Sequence, residues 1–340
     1  MKLITFAIPC YNSAEYMEKC IDSLLKAGED AEILIVNDGS TKDNTKEIAD
    51  RYQEQYPTIC KAIHKENGGH GDAVNVGMQN ATGKYYKVVD SDDWLDETAL
   101  KKVMDAIRSF EGKDETPDAI IANYVYEHTY TNTQRVVQYR KKLPVGRLFD
   151  FEETKKFGVG QFLAMHSVIY KTQILRDINL QLPKHTFYVD NIFVYTPLPF
   201  IKNFYYVDAD LYRYFIGRPD QSVQESVQIK RNDQQLRVGK IIINKYDLTE
   251  FKTDRPKLYN YMKEYMFVMV IISSIFLIKE GTPEAIAKKK ELWAYFKEQA
   301  PDVYKKCKNR FTALTKYNNK LTMGFCKMVY SIAIKKLKAN

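Results

Sequence analysis

Cysteine is scarce: five residues, at 10, 20, 60, 307 and 326, in a chain of 340, with no CxxC or CxxH spacing among them. That odd and scattered set provides no disulfide framework and no zinc site, and it suits a reducing compartment. Two nucleotide signatures are also missing. There is no GxGxxG and no GxxxxGKS or GxxxxGKT, so neither a dinucleotide fingerprint nor a P-loop is present. The longest apolar run, Tyr265–Ile278, has 14 residues, short of the roughly 20 that a membrane-spanning helix needs. It reads as a buried core helix. The opening MKLITFAI is too short for a signal-peptide core, and Pro9-Cys10-Tyr11-Asn12 is not a small-residue cleavage site, so this stretch reads as a first strand. No internal repeat, low-complexity linker or nucleic-acid-binding motif interrupts the chain.

What remains is a globular composition, 45% hydrophobic and 28% charged, long enough for two or three domains. The 25 tyrosines and 17 phenylalanines are mostly core filler, although tyrosine-rich clefts also suit ring-shaped ligands. The net charge of +8 is concentrated at one end. Residues 301–340 hold ten Lys and Arg against the single acid Asp302, so the remainder is close to neutral.

The first 110 residues alternate strand and helix. Leu3–Ile8, Ala31–Val36, Thr58–His64 and Lys84–Val89 read as strands, most of them apolar throughout. Helical spacing intervenes: Met17, Cys20, Ile21, Leu24 and Leu25 share one face, with Ser13 as a candidate cap, and Asp72–Asn80 reads as a short helix. Strands of this kind separated by helices imply a parallel sheet covered on both faces. Further strands are expected at Asp118–Glu127, Thr129–Tyr139, Phe162–Tyr170 and Phe204–Tyr214, in a more antiparallel arrangement, and the chain is helical from about residue 228. The expected segments are 1–115, the part that alternates strand and helix; 116–225, the more antiparallel part; and 226–340, a helical region with a basic tail.

Each early strand ends in polar residues, and in open α/β sheets ligands bind at that edge. The fourth strand runs into Asp90-Ser91-Asp92-Asp93-Trp94-Leu95-Asp96-Glu97. At a strand end residues i and i+2 point the same way, so Asp90 and Asp92 can converge on one cation. Oxygen-only ligands suit Mg²⁺ or Mn²⁺. Asp93 is either a neighbour of that ion or a supporting acid. Asp96 and Glu97 are accounted for as helix-start residues. Asp38, before Gly39-Ser40-Thr41, either bonds local backbone or accepts the imide N–H of a uracil-type base. The loop Asn67-Gly68-Gly69-His70-Gly71 opens a helix whose N–H groups can approach phosphate; His70 either bonds that phosphate or is exposed. His166 is either an acceptor contact or a structural histidine.

Four blocks, IPCYNSAEYMEKCIDSLL, ILIVNDGSTKDNT, KENGGHGDAVNVGMQNATGKYY and VVDSDDWLD, occur in an order and spacing that resembles glycosyltransferase family 2, over residues 3–100 and more loosely to about 215. The resemblance implies a GT-A fold: a Rossmann-like sheet and a mixed acceptor-side sheet, here followed by a helical C-terminal region. It implies a bacterial cell-envelope type of enzyme with a nucleotide-diphosphate sugar donor, a divalent metal on the DxD motif, and inversion at the anomeric carbon. Pro9, Tyr11 and Asn12 would then line the nucleotide pocket with Asn67 and Gly68; Asp38 would contact the base, Asp72 the ribose or sugar, and Asp90, Ser91 and Asp92 the ribose and metal–diphosphate. Asp190, in Tyr188-Val189-Asp190-Asn191, matches the family's general base, although Val189 stands where the family often has Glu. Asp72-Ala73-Val74-Asn75 lacks the Arg of many relatives, so Arg213 or Arg218 is the candidate cation for the diphosphate. The acceptor would be a glycan or a lipid-linked carrier at the cytoplasmic face of the plasma membrane. The basic tail 316–340 is either a peripheral anchor on anionic lipid or a core-docking helix. A nucleotidyltransferase and an idle carbohydrate-binding scaffold are the rival readings.

Overall fold

The computed structural model describes residues 2–128, 131–158, 161–217 and 225–339, with side chains as far as residue 332 in the last helix. The chain divides into two compact units, one formed by 1–157 with 163–218, the other by 158–162 with 219–340.

In the first unit the strands are β1 (Ile4–Cys10), β2 (Ala31–Asp38), β3 (Cys60–Lys65), β4 (Tyr85–Val88), β5 (Trp94–Leu95), β6 (Ala119–His128), β7 (Thr133–Val137), β8 (Leu148–Phe149), β9 (Val168–Lys171) and β10 (Phe204–Ile216). The helices are α1 (Met17–Leu25), α2 (Thr45–Gln55), α3 (His70–Asn80), α4 (Glu97–Arg108), α5 (Thr172–Asp177) and α6 (Asp190–Tyr195). One sheet runs in the order β3-β2-β1-β4-β9-β6-β10-β5, with β7 on β6 and β8 on β10. Strands β1 to β4 are parallel, so their carboxyl ends share one edge. Burial explains the pairing: every residue of β1 and β4 is buried, so helices must cover both faces. Beyond β4 the sheet becomes mixed. β9 is antiparallel to both β4 and β6, and β10 is parallel to β6. This is the α/β sheet with a mixed second half that the sequence led us to expect.

Three local readings are corrected. Ser13 does not cap α1 with its side chain. The helix starts at Met17, and Ser13 Oγ instead accepts the Tyr11 N–H at 3.0 Å and pairs with Ser91 Oγ at 2.9 Å. The strand expected at Phe162–Tyr170 is confined to Val168–Lys171. Ser167 Oγ bonds both the N–H and the carbonyl of Ala164, and that local turn competes with a ladder over 164–167. Finally, α3 starts two residues early, at His70, because Gly69 at φ +83° turns the chain into it. By contrast Asp96 caps α4 as expected, accepting from Ala99 N at 2.9 Å.

The second unit is helical: α7 (Glu225–Lys230), α8 (Asn232–Lys245), α9 (Pro256–Glu280), α10 (Pro283–Gln299), α11 (Pro301–Cys307) and α12 (Lys320–Ala339). α9 is long and apolar enough to cross a membrane by length and composition, yet 78% of its most apolar stretch is buried inside the protein. It is the unit's core helix. Trp293 of α10 donates its indole N–H to Ser274 Oγ of α9 at 3.0 Å, and Gly281 at φ +72° ends α9 in the left-handed conformation. The fully buried Lys289 donates to the carbonyls of Thr315 at 2.8 Å and Tyr317 at 2.6 Å, which brings the approach to α12 against α10.

Candidate active site

The polar strand ends meet at the carboxyl edge of β1–β4. Asn12 follows β1 at φ +49°, a left-handed position that Asn tolerates. Its N–H donates to Ser40 Oγ at 2.9 Å, and its Oδ1 accepts from the backbone N–H groups of Thr41 and Lys42 at 3.2 and 3.1 Å. Pro9 is buried in β1 opposite Val36, and Tyr11 projects into solvent. Ser91 joins this edge through Ser13.

Asp38, at the end of β2, is buried and anchors the glycine loop. Oδ1 accepts from Gly68 N at 2.9 Å and Lys65 Nζ at 2.5 Å; Oδ2 accepts from Gly69 N at 2.7 Å and Asn67 Nδ2 at 3.1 Å. A carboxylate offers about four acceptor positions, and protein donors occupy them all. Lys65 bridges onward to Asp72 Oδ2 at 2.8 Å, and Lys184 approaches the same oxygen at 3.4 Å. Burial raises the Asp72 pKa, but the two lysines outweigh it and hold the carboxyl below the usual range. A side chain at Gly68 would put its Cβ 2.1 Å from Asp72 Oδ2, so this corner requires glycine.

The segment before α6 folds onto the same loop. His185 N donates to Gly68 O at 2.7 Å, and the Asn75 side chain bonds both the N–H and the carbonyl of Leu182. His185 and Tyr188 have φ of +47° and +66°, left-handed conformations that non-glycine residues adopt at a cost. They deliver Asp190 at the first position of α6. Burial pushes the Asp190 carboxyl up; His70 draws it down, Asp90 adds to the rise, and the net shift is upward.

His70 is not simply exposed. It is half-buried, with Nε2 2.8 Å from Asp90 Oδ1. Burial lowers its pKa, but the bond to Asp90 and the charges of Asp90, Asp190 and Asp92 raise it further than burial lowers it. The same pairing outweighs burial on Asp90 and leaves that carboxyl below its ordinary value.

The acidic cluster lies in a turn and not on an extended strand end. β4 ends at Val88, and Asp93 N bonds Asp90 O at 3.0 Å, so residues 90–93 form a turn in which strand alternation no longer applies. The turn groups Asp90 with Asp93 and His166, one ligand atom from each lying within 4.8 Å of the others. Asp92 is outside that group but near enough to raise the pKa of Asp93. Asp93 is 1% exposed and accepts Tyr212 O–H at 2.6 Å and Phe215 N–H at 2.8 Å; burial, then Asp92 and Asp90, push it well above the carboxylate range. Tyr212 Oη also accepts the Asp90 N–H at 3.1 Å. Beneath them Lys87, fully buried, donates to the His166 carbonyl at 2.7 Å and lies 5.1 Å from the Tyr212 ring centre; burial lowers its pKa to about 7. The His166 ring packs 4.6 Å from both Tyr212 and Tyr214, burial lowers its pKa to about 4, and its buried Nδ1 has no hydrogen-bond partner among the described residues.

Arg213, a candidate cation for the diphosphate, is paired within the protein: it bonds Glu127 at 3.0 Å and Asp96 at 2.9 Å, the latter giving Asp96 a second task beside capping. Arg218 lies outside the described residues. Sequence reasoning passed over Lys65, Lys87 and Tyr212. Lys87 carried a signal, since a lysine inside the apolar run YYKVV must face a buried polar partner.

With that geometry in hand, the class is clear. The sequence profile described as Glycosyl transferase family 2 matches residues 5–175, half of the chain, and the chain belongs to that family. It is 46% identical over 106 residues to an uncharacterized glycosyltransferase, the MG025 homolog of Mycoplasma pneumoniae, covering 30% of this chain and 35% of that protein. It is 29% identical over 195 residues to glycosyltransferase GlyA of Streptococcus pneumoniae, covering 53% and 26%, and 34% identical over 125 residues to GlyG of the same organism, covering 36% and 39%. The matches thus span well under half the length of these relatives. Among solved structures the fold is similar to Staphylococcus aureus TarS residues 1–349 in complex with UDP-GlcNAc, with a TM-score of 0.70 and 18% identity over 98% of this chain and 92% of that one. That likeness extends through the helical region, so the GT-A architecture with a helical C-terminal part is shared.

Proposed function

We propose that this chain transfers a sugar from a nucleotide-diphosphate donor, a UDP-sugar, to a hydroxyl of a glycan or lipid-linked envelope acceptor, with inversion. The observation that carries the reading is the convergence of Asp90, His70 and Asp190 at one sheet edge. Inversion requires an acceptor oxygen to attack the anomeric carbon opposite the departing nucleotide while a base removes its proton. Asp190 is that base, and its raised pKa strengthens it as a proton acceptor. His70 lies near both the donor-side and the acceptor-side acid and offsets part of their mutual repulsion. The nucleotide would lie along Pro9, Tyr11, Asn12, Asn67, Gly68, Asp72 and Ser91, with Asp38 acting through the loop it holds. The UDP assignment leans on the UDP-GlcNAc of the TarS complex.

A divalent cation fits the acids. Asp90 would supply one oxygen, and either Asp92 or the Asp93–His166 pair the remaining donors; the orphaned His166 Nδ1 favours the latter. An imidazole among the ligands makes Mn²⁺ a better match than Mg²⁺. When bound, the ion neutralises diphosphate charge in the leaving nucleotide.

The test is a screen of nucleotide sugars with Mn²⁺, reading nucleotide release with and without candidate acceptors. Asp190→Asn should retain donor binding by calorimetry and lose transfer by about 100-fold or more. Loss of donor binding in that variant, or no release with any donor, refutes the reading, the latter in favour of an idle scaffold.

A further inference from the structure

α12 answers the question left open for the basic tail in an unexpected way, because it has two apolar faces. One docks within its own unit. Cys326 is buried, and the Tyr330 ring lies 6.0 Å from Phe276 of α9, with Lys279 Nζ 4.6 Å from its centre. The other face is turned to solvent. Leu321, Phe325, Met328 and Ile332 are 87, 38, 52 and 51% exposed. Their spacing of four, three and four residues places them in a single row, about 16 Å long at the helical rise of about 1.5 Å per residue. Phe311, itself exposed, packs edge-on against Phe325 at 5.6 Å and widens the row, and the exposed Tyr317 lies just before the helix.

A helix that only needed to close the core would present polar residues on this outer side. Soluble surfaces seldom keep a contiguous row of large apolar side chains in water, and among the described residues nothing covers this one. The row's charge surroundings identify its occupant. Lys320 and Lys327 are exposed on α12, which holds no acid anywhere in its length, and Asp302 is the only acid from 301 onward. A second copy of the chain would bring an equally basic tail against this one, and the cores of protein interfaces are depleted of lysine. An anionic bilayer surface gains from each lysine and accepts the apolar row among its acyl chains. Lys327 in mid-helix forbids a spanning orientation and suits one parallel to the surface.

We infer that α12 docks this protein on an anionic lipid surface by inserting the Leu321, Phe325, Met328 and Ile332 row, with its lysines on the headgroups and the opposite face still packed on α9. The helix lies in the interface while the core helix α9 remains inside the protein.

The experiment is flotation of the full chain with vesicles of phosphatidylcholine alone and of phosphatidylcholine with about one third phosphatidylglycerol, at low salt and at about 0.5 M salt. Binding is expected to the anionic vesicles at low salt and to weaken with salt. Leu321→Ser with Met328→Ser should weaken it by at least about tenfold while lowering the urea midpoint little, because Leu321 is mostly and Met328 about half exposed already. Lys320→Gln with Lys327→Gln should weaken anionic binding in the same way. No binding to anionic vesicles, equal binding to neutral ones, or unchanged binding in the serine variant overturns the inference. A dimer in sedimentation that the serine variant dissolves, without vesicle binding, assigns the row to a second copy instead.

Discussion

Asp38→Asn separates two roles for the acid at the end of β2. The carboxylate is 2% exposed, and its two oxygens accept four protein donors, two each. Asparagine keeps the shape but replaces one oxygen by an NH₂ group. Whichever way the amide turns, two donors then face a donor: Gly69 N–H and the Asn67 amide in one orientation, Gly68 N–H and the Lys65 ammonium in the other. A buried hydrogen bond lost in this way costs about 1–3 kcal/mol, more when a charge is involved. Lys65 keeps Asp72 at 2.8 Å, which limits the loss on that side. The expected destabilisation is therefore about 2–4 kcal/mol, read as a lowered urea midpoint with unchanged slope. The donor KM should rise too, because the loop carrying Gly68 and Gly69 loses its anchor. An unfolding free energy within about 0.5 kcal/mol of the parent, together with a change in preference between uridine and other nucleotides, would refute the anchoring argument and return Asp38 to direct contact with the base.

Three further outcomes follow from the same geometry. Gly68→Ala should cost about 1–3 kcal/mol by expelling Asp72 from Lys65, and urea titration should show its effect to be less than additive with Asp72→Ala. Lys87→Met tests the buried amine. With a folded pKa lowered to about 7 from 10.5, the folded state binds fewer protons between those values, so the parent gains stability as pH rises through that window and none below it; the stability of Lys87→Met relative to the parent should fall between pH 6.5 and 9, and a pH-independent difference would count against a lowered pKa. His166→Gln should raise the Mn²⁺ concentration for half-maximal nucleotide release by about tenfold, and more than Asp92→Asn does; the reverse order places the ion on the Asp90–Asp92 pair.

The alternation of strand and helix over the first 110 residues was legible because it rests on periodicity and burial, which are local. So was the gathering of polar residues at one edge, since parallel strands must end together. The insertion of β9 between β4 and β6 was not, because antiparallel pairing joins it to residues about 85 positions away in β4 and about 50 away in β6 and leaves no pattern in any strand alone. The grouping of Asp93 with Asp90 and His166 was not legible either: the i, i+2 argument holds only while the chain stays extended, and β4 ends at Val88. The pairings of His70 and Arg213 were not legible, because their partners, Asp90 for one and Glu127 with Asp96 for the other, are brought close only by the fold. Val189, where relatives often have Glu, has no structural explanation.

Tyr212 has a consequence of a different kind. A hydroxyl carries one hydrogen, and here it is directed to Asp93 while the oxygen receives the Asp90 N–H. The linkage has a polarity: it runs from the turn's backbone through β10 to a carboxylate and cannot reverse without breaking both bonds. Tyr212 therefore has no proton left to offer a ligand. What it transmits is position, so a displacement of β10 at this point would be felt at Asp90 directly, through one hydroxyl acting as a rigid coupling between the two halves of the sheet.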